Sequence, residues 1–268
     1  MIAAVTLPGL SRMKREGQPI VVVTAYDCTF ARLLDDALVD VALVGDSLGM
    51  VIQGHDSTLP VTLDEMIYHT RAVARGFRRG VIVADMPFGA FHRGPEATMK
   101  QALRLMKRGG CHAVKLEGGV IMAETVAFLT AREVPVVGHV GLTPQSVNRF
   151  GGFKVQGREE GDAARIRQDA LALAEAGVSA LVLEGIPAPL AAEITRQSPV
   201  PTIGIGAGGG CDGQVLVLHD LLGLYGDQSP RFVKRYLEGA ALTREALARF
   251  GDEVRQGSFP GPEHAYGP

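Results

Sequence analysis

The sequence predicts an α/β protein, and within that class a closed (β/α)8 barrel. The chain has 268 residues, and one such barrel needs roughly 250. Short runs rich in Val, Ile and Leu recur along most of it, each followed by a turn and a stretch of helical periodicity. These runs are continuously apolar instead of alternating, which indicates parallel strands buried on both faces. An open doubly wound sheet is the competing architecture.

The repeat divides the chain into predicted elements. Strands are expected at 20–26, 41–46, 81–86, 113–118, 135–141, 180–185 and 201–206, with an eighth candidate at 215–220. Helical patterns occupy 28–38, 63–76, 95–108, 120–131 and 162–177. In the last of these we expect Leu171, Leu173 and Ala174 to face the core and Gly177 to end the helix.

The ends of the chain are expected to belong to the same domain as the barrel. Residues 7–16 are predicted to form a helix that closes the bottom of the barrel, before the first strand. The segment 257–268, rich in Gly and Pro, is predicted to be an irregular tail. We therefore expect one domain over 1–268.

Composition narrows the classes of function. A net charge of −2 offers no basic field for nucleic acid or an anionic membrane. No segment approaches the roughly 18 apolar residues of a membrane helix, and the N-terminus lacks the pattern of a signal peptide. The three cysteines have no ligand or disulfide spacing. We expect a cytoplasmic protein that acts on small molecules.

Charged residues lie at or beside the carboxyl ends of the predicted strands. They are Asp46, Asp85, Lys115, Glu117 and Glu184. In a barrel these ends converge on one face, where the active sites of this fold are built. Buried carboxylates need a cation, a proton or hydrogen-bond donors, because an unpartnered buried charge is costly.

A magnesium site is one interpretation of three of these carboxylates. Asp46, Asp85 and Glu117 come from consecutive predicted strands, and oxygen ligands without cysteine favour Mg²⁺ over zinc. The alternative is that each Asp caps the following helix, since Asp is a favoured N-cap and caps belong at such junctions.

Lys115, Glu184 and His139 each have a functional and a structural interpretation. Lys115 is either a counter-ion of a neighbouring carboxylate or the cation that holds a substrate carboxylate or an enolate. Glu184 lies outside the acidic cluster, and burial would raise its pKa toward the range of a general base. His139 is either a hydrogen-bond donor in the site or a satisfied core histidine.

The glycine-rich stretch 204–209 matches the GxGxxG pattern of dinucleotide-binding folds. The residues after it do not begin a convincing helix, and too little chain follows for a dinucleotide domain. We interpret it instead as a loop that lets the backbone approach a ligand or another loop closely.

Long segments of the chain resemble one family. They are VGDSLGMVIQGHDSTLPVTLDEM (44–66), ADMPFGA (84–90), VKLEGG (114–119), VPVVGHVGLTPQSVNRFGGFKVQGR (134–158), LVLEGIP (181–187) and IGIGAGGGCDGQVLVLHDLLG (203–223). These strings strongly resemble the ketopantoate hydroxymethyltransferase family. The likeness covers nearly the whole chain, including TAYD at 24–27 and PGPEH at 260–264.

The resemblance implies a (β/α)8 barrel of the phosphoenolpyruvate/pyruvate superfamily that acts in pantothenate and coenzyme A biosynthesis. The implied reaction transfers a hydroxymethyl group from 5,10-methylenetetrahydrofolate to 3-methyl-2-oxobutanoate, giving 2-dehydropantoate and tetrahydrofolate through a magnesium-stabilised enolate. The family forms homo-oligomers, commonly decamers.

The resemblance also implies roles for single residues. It makes Glu184 the proton acceptor and places Asp46, Ser47, Asp85 and Lys115 around the oxo acid. It makes Asp46, Asp85 and Glu117 the carboxylates associated with Mg²⁺, some of them through water.

Two other functions compete with this one. A superfamily lyase acting on another 2-oxo or 2-hydroxy acid would use a similar metal cluster. Such lyases usually carry a cysteine in a mobile loop, and here no cysteine lies in the loop directly after the fourth predicted strand. A non-catalytic protein that binds a metal and a carboxylate would leave Glu184 unexplained.

Overall fold

A closed barrel of parallel strands forms the first part of the chain. The computed structural model describes residues 4–225 and 230–267. Within them, eight strands pair in sequence order and β8 closes on β1. The strands are β1 (Ile20–Thr24), β2 (Val41–Val44), β3 (Val81–Asp85), β4 (Ala113–Glu117), β5 (Val136–Gly141), β6 (Ala180–Glu184), β7 (Thr202–Ile205) and β8 (Gly213–Leu216). The predicted (β/α)8 barrel is confirmed.

Helices follow most of the strands. In the barrel part of the chain they are α1 (Leu7–Glu16), α2 (Cys28–Asp36), α3 (Leu48–Val51), α4 (Leu63–Gly76), α5 (Pro95–Arg104), α6 (Ala123–Thr130), α7 (Val147–Phe150), α8 (Glu160–Glu175) and α9 (Ala188–Gln197). A π-helical turn at Leu105–Gly109 continues α5, and 3-10 turns at Val120–Met122 and Pro144–Ser146 precede α6 and α7.

The eighth strand differs from its prediction, 215–220. It begins at Gly213, which pairs with Ile20, and it ends at Leu216. A Cβ at Gly213 would lie 2.4 Å from the Ile20 carbonyl oxygen, so the strand starts where the missing side chain lets two backbones meet. An apolar run does not reveal such a start.

No helix connects β7 to β8. The glycine-rich segment 206–212 forms bends and loop instead. This agrees with the interpretation of the stretch as a loop and not as a dinucleotide-binding turn, which would need a helix directly after it.

One predicted face of α8 is wrong. Leu173 is fully buried, but Leu171 is 56% exposed and Ala174 is half-buried. The buried stripe of α8 runs through Ala163, Ile166, Ala170 and Leu173, a spacing of three and four residues that turns Leu171 toward solvent. Helix α8 ends at Glu175 with Ala176 as its C-cap, and Gly177 after it has a positive φ of 92°, as expected for a glycine that follows a helix.

Helix α1 closes the bottom of the barrel, as predicted for 7–16. The Thr6 side chain accepts a hydrogen bond from the Gly9 amide at its start, and Gly17 ends it with a φ of 66°. Leu10 belongs to the cluster of apolar side chains that fills the barrel. Its barrel members are Ile20, Val22, Val41, Val81, Val83, Ala113, Val137, Ala180, Val182, Ile203, Ile205 and Val215.

The chain divides into two compact units, 1–217 and 218–268. The second contains α10 (Leu218–Leu221), α11 (Gly239–Arg255) and a 3-10 turn at Pro262–His264. The ends of the predicted single domain, residues 1–3 and 268, lie outside the described residues. The expectation of one domain over 1–268 stays a prediction. Among the described residues, no helix combines the length and apolar character needed to cross a bilayer.

The plug formed by α1 can be tested by replacing Leu10 with Ala. Leu10 is 3% exposed, so the substitution leaves a cavity at the base of the core, and we expect the free energy of unfolding to fall by about 2–5 kcal/mol. Chemical denaturation followed by circular dichroism measures it. Arg12→Ala, on the exposed side of α1, is the control and should change stability by less than about 0.5 kcal/mol. Equal effects of the two substitutions would contradict the plug.

Candidate active site

The charged residues of the strands form the upper layer of the barrel interior. Alternate residues of a strand point to the same side. Val83 and Ala113 belong to the apolar filling; two residues further along each strand stand Asp85 and Lys115, and Glu117 follows two beyond Lys115. Along each of these strands, the side chains that point into the barrel are therefore apolar at first and charged toward the carboxyl end.

Asp85 and Lys115 form a buried ion pair at the centre of this layer. The two residues are paired across β3 and β4. The Lys115 ammonium lies 3.1 Å from Asp85 Oδ1, and both side chains are almost fully buried. Burial opposes the charge of Lys115, but the carboxylates of Asp85, Glu117 and Asp46 outweigh it and raise its pKa. The surrounding carboxylates therefore favour the charged form of Lys115.

Asp46 and Ser47 follow β2 and reach the same cluster. The Asp46 amide donates a hydrogen bond to Asp85 Oδ2 at 3.1 Å. The Ser47 hydroxyl lies 2.8 Å from that of Tyr26. A Cβ on Gly45 would lie 2.7 Å from Ser47 Oγ, so a side chain at this position would displace the Ser47 hydroxyl. Sequence reasoning missed Tyr26, although it stands in the quoted segment TAYD.

The carboxylates outnumber the cation. Burial, and then the charge of Asp85, raises the pKa of Asp46 to about 7. Burial also raises the pKa of Glu117 well above its ordinary value, although the Lys115 charge acts against it. Asp46, Asp85 and Glu117 thus share one buried ammonium, and the arrangement favours the uptake of protons or of a further cation.

His139 lies between the lysine and Glu184. Its Nδ1 is 3.1 Å from Lys115 Nζ, and because an ammonium can donate but not accept, Nδ1 must be the acceptor. Burial, followed by the charge of Lys115, lowers the pKa of His139 well below its usual value, so the ring is neutral and its proton is on Nε2. That Nε2 lies 3.1 Å from Glu184 Oε2, although without the alignment of a good hydrogen bond.

Glu184 has the properties of a base. It is paired with Gly141 across β5 and β6, and its side chain is 15% exposed to solvent. Burial raises its pKa to about 7, while the Lys115 charge acts in the opposite direction. A carboxylate with this pKa can both accept and return a proton near neutral pH.

Gln145 is a second residue that sequence reasoning missed. It lies in the 3-10 turn Pro144–Ser146 after β5 and is 6% exposed. Its backbone amide donates to Glu117 Oε2 at 3.0 Å, and its side-chain Nε2 donates to Asp46 Oδ2 at 2.8 Å. The available signal was a polar residue just beyond a strand end, in the quoted segment GLTPQS.

The structure brings the predicted residues into one network, but not into a ready set of three metal ligands. Contacts join Asp46, Asp85, Lys115, His139 and Glu184 in that order. Glu117 enters through Gln145 and through a 3.6 Å approach of its Oε1 to His139 Nδ1. Across residues 4–225 and 230–267, no group of three His, Cys, Asp or Glu side chains is arranged to hold a metal ion.

Comparisons with known proteins agree with this architecture. In the fold comparison, a phosphonopyruvate hydrolase, in complex with oxalate and Mg²⁺, matches with a TM-score of 0.62 at 12% identity, over 97% of this chain and 93% of its own. A 2,3-dimethylmalate lyase of the PEP mutase/isocitrate lyase superfamily matches with a TM-score of 0.58 at 16% identity, over 98% and 88%. At this identity the matches concern the fold alone, a (β/α)8 barrel.

Sequence comparison is more specific. The model of the family "Ketopantoate hydroxymethyltransferase" matches residues 4–262. A 3-methyl-2-oxobutanoate hydroxymethyltransferase of Magnetococcus marinus is 62% identical over 98% of both chains. The enzyme of the same name from Paracoccus denitrificans is 57% identical over 97% of this chain and 94% of its own.

Fold and site together define an enzyme of the barrel class with a buried acidic centre at the carboxyl ends of its strands. The chain belongs to the ketopantoate hydroxymethyltransferase family, a family of transferases.

The raised pKa of Glu184 predicts a pH-dependent difference in stability between the wild type and Glu184→Gln. The folded pKa of about 7 exceeds the ordinary value of 4.5, so the contribution of Glu184 to stability is complete below pH 4.5 and is lost as the pH rises through 7. Glutamine has no charge to bury. We expect the variant to gain on the wild type between about pH 4.5 and pH 7, by up to about 3 kcal/mol.

Denaturation curves in EDTA at several pH values measure this difference. Glu245→Gln, on the exposed surface of α11, controls for the change of side chain. If the free energies of unfolding of the wild type and Glu184→Gln differ by the same amount at every pH, the pKa of Glu184 is not raised in the folded protein.

Proposed function

We propose that this protein transfers a hydroxymethyl group from 5,10-methylenetetrahydrofolate to 3-methyl-2-oxobutanoate, giving 2-dehydropantoate and tetrahydrofolate. The observation that carries the proposal is the placement of a buried ammonium, Lys115, and a carboxylate of raised pKa, Glu184, on either side of His139. One group suits the negative charge of the oxo acid, and the other suits removal of a proton beside it.

Binding of the oxo acid would use the cation and the neighbouring polar groups. Lys115 is buried and charged, so it attracts the carboxylate and the developing enolate more strongly than it would in water. Ser47, which is held by Tyr26, can donate a hydrogen bond to the same oxygens. Asp46 and Asp85 complete the predicted set around the oxo acid.

The first chemical step is removal of the proton at C3. Glu184 in its carboxylate form takes this proton, and the electron pair of the broken C–H bond forms the enolate. The neutral His139 lies with Nε2 3.1 Å from Glu184 Oε2 and adds no positive charge there, so the carboxylate stays available as a proton acceptor. The enolate carbon then bonds to the folate-borne methylene as one methylene–nitrogen bond breaks, and the freed nitrogen takes up the proton that Glu184 removed. Water displaces the second nitrogen, giving its hydroxyl to the methylene and its other proton to that nitrogen, and tetrahydrofolate leaves.

The residues present fit a magnesium ion. Asp85 Oδ1 is buried without a well-aligned hydrogen bond among the described residues, beside an Asp46 whose charged form is disfavoured. Mg²⁺ usually takes one or two protein carboxylates and completes its coordination with water and substrate. Asp46 and Asp85 would hold it, with Glu117 acting through water. When bound, the ion would withdraw electrons from the 2-oxo and carboxylate oxygens and so stabilise the enolate.

The wider setting of the reaction is also a proposal. The family resemblance implies pantothenate and coenzyme A biosynthesis in the cytoplasm, and a homo-oligomer, with a decamer as the expected assembly.

Enolisation can be tested without folate. Wild-type protein with Mg²⁺ should exchange the C3 proton of 3-methyl-2-oxobutanoate for deuterium, which NMR follows directly. Glu184→Gln should reduce the exchange rate by about 10²–10⁴-fold, the usual contribution of a general base. Its affinity for the oxo acid should stay close to that of the wild type.

The exposed variant Glu245→Gln should exchange at the wild-type rate. Absence of exchange in the folded wild type would overturn the proposed function. Undiminished exchange in Glu184→Gln would instead assign the base to another residue.

The metal assignment can be tested with Asp85→Asn. The substitution removes a charge but preserves the shape of the side chain, and we expect Mg²⁺ affinity to fall by more than about 100-fold, since even outer-sphere changes cost 10–100-fold. Isothermal titration with Mg²⁺ in the presence of the oxo acid measures the effect. Asp64→Asn is the matched control, because the Asp64 side chain is 76% exposed. Wild-type titration curves for Asp85→Asn would exclude Asp85 as a ligand.

A further inference from the structure

Gln145 makes several hydrogen bonds with the acidic cluster, although it is far from Asp46 in the sequence. Its side-chain nitrogen donates both hydrogens, to Asp46 Oδ2 at 2.8 Å and to the Met86 carbonyl oxygen at 2.9 Å. Its backbone amide donates to Glu117 Oε2 at 3.0 Å. One residue from the loop after β5 thus contacts groups that follow β2 and β3 and the end of β4.

The orientation of the Gln145 amide follows from these partners. The Met86 carbonyl can accept a hydrogen bond but cannot donate one, and the carboxylate form of Asp46 is likewise only an acceptor. Turning the amide over would place its oxygen against both acceptors. The nitrogen must therefore face them, and this leaves Oε1 as a buried acceptor with no hydrogen-bond partner in the part of the chain that the structure describes.

That unsatisfied oxygen argues for a function. A buried polar atom without a partner costs about 1–3 kcal/mol. An apolar side chain of similar size would avoid this cost, but it would provide no donor to Asp46. The two donated hydrogen bonds are the property that methionine or leucine at this position cannot supply.

We propose that Gln145 is a positioning residue for the ligand-binding carboxylates. Its side chain holds Asp46 against the Met86 backbone, and its backbone amide holds Glu117, so the separation of the two carboxylates is set by one rigid turn. Removal of a residue that hydrogen-bonds to a metal ligand typically lowers metal affinity by 10–100-fold. The role rests on the proposed function, because it concerns residues assigned there to Mg²⁺.

Its test compares the wild type with Gln145→Met, which keeps the length of the side chain and removes both donors. Crystal structures of the metal-free proteins show whether the Asp46 carboxylate moves away from its wild-type position. Titration with Mn²⁺, followed by electron paramagnetic resonance, gives metal affinity without any turnover. We expect a displaced carboxylate and an affinity reduced by about 10–100-fold.

The exchange assay separates positioning from catalysis. Gln145 does not contact Glu184 in the network described above, so Gln145→Met should raise the KM for the oxo acid and the concentration of Mg²⁺ required. The rate at saturation should stay within about tenfold of the wild type. A general base would show the opposite pattern, with the loss in kcat.

Three further variants guard the interpretation. Gln168→Met makes the same chemical change on the exposed face of α8 and should behave as the wild type. Ser146→Ala removes the 3.0 Å hydrogen bond from Thr143 within the same turn and should leave Mn²⁺ affinity unchanged. Should Gln145→Met fail to fold, Gln145→Asn retains the amide but is too short to reach both acceptors, and we expect the same loss of affinity.

Each outcome decides between alternatives. Wild-type Mn²⁺ affinity in Gln145→Met overturns the role, whether or not Asp46 has moved. An equal loss in Ser146→Ala also overturns it, because the effect would then belong to the folding of the turn. Failure of the wild type to bind Mn²⁺ refutes the proposed magnesium site, and the position of Asp46 in the two crystal structures then decides by itself whether Gln145 holds it.

Discussion

The structure of the site depends on the burial of one ammonium among several carboxylates. Lys115 lies 3.1 Å from both Asp85 Oδ1 and His139 Nδ1. Removal of either charge of a buried pair leaves the other uncompensated, which typically costs 3–5 kcal/mol. The single positive charge of Lys115 compensates the charge of Asp85 but cannot also compensate those of Asp46 and Glu117. Burial, together with the neighbouring carboxylates, raises the pKa values of Asp46 and Glu117.

The same lysine divides the site into two halves with different chemistry. On one side are Asp46 and Asp85, where the excess of negative charge favours a cation. On the other side, His139 has a depressed pKa and stays neutral, which leaves Glu184 with a proton donor but no second positive charge beside it. A full ion pair at Glu184 would lower its pKa. The neutral histidine lies 3.1 Å from Glu184 without adding that charge.

The barrel supplies the distances. The inward rows place apolar residues at the bottom, where Leu10 of α1 closes the core, and charged ones at the carboxyl ends. Neighbouring strands bring Asp85 beside Lys115 and Glu117 beside His139. Since these side chains stand on rigid strands, their positions depend little on loops. Asp46 and Ser47 lie just beyond a strand and need additional support, which Asp85, Gln145 and Tyr26 provide.

The sequence by itself favoured a barrel over an open sheet and located most of its strands and the charged residues at their ends, because hydrophobic runs and their boundaries depend on local composition. The sequence also indicated the family, because long segments of it resemble that family. Only the tertiary structure decided which face of α8 is buried, where β8 begins, and that Gln145 and Tyr26 belong to the site. These depend on contacts between residues far apart in the chain: the Gln145 side chain reaches Asp46 across 99 positions, and no local pattern encodes a hydrogen bond of that range.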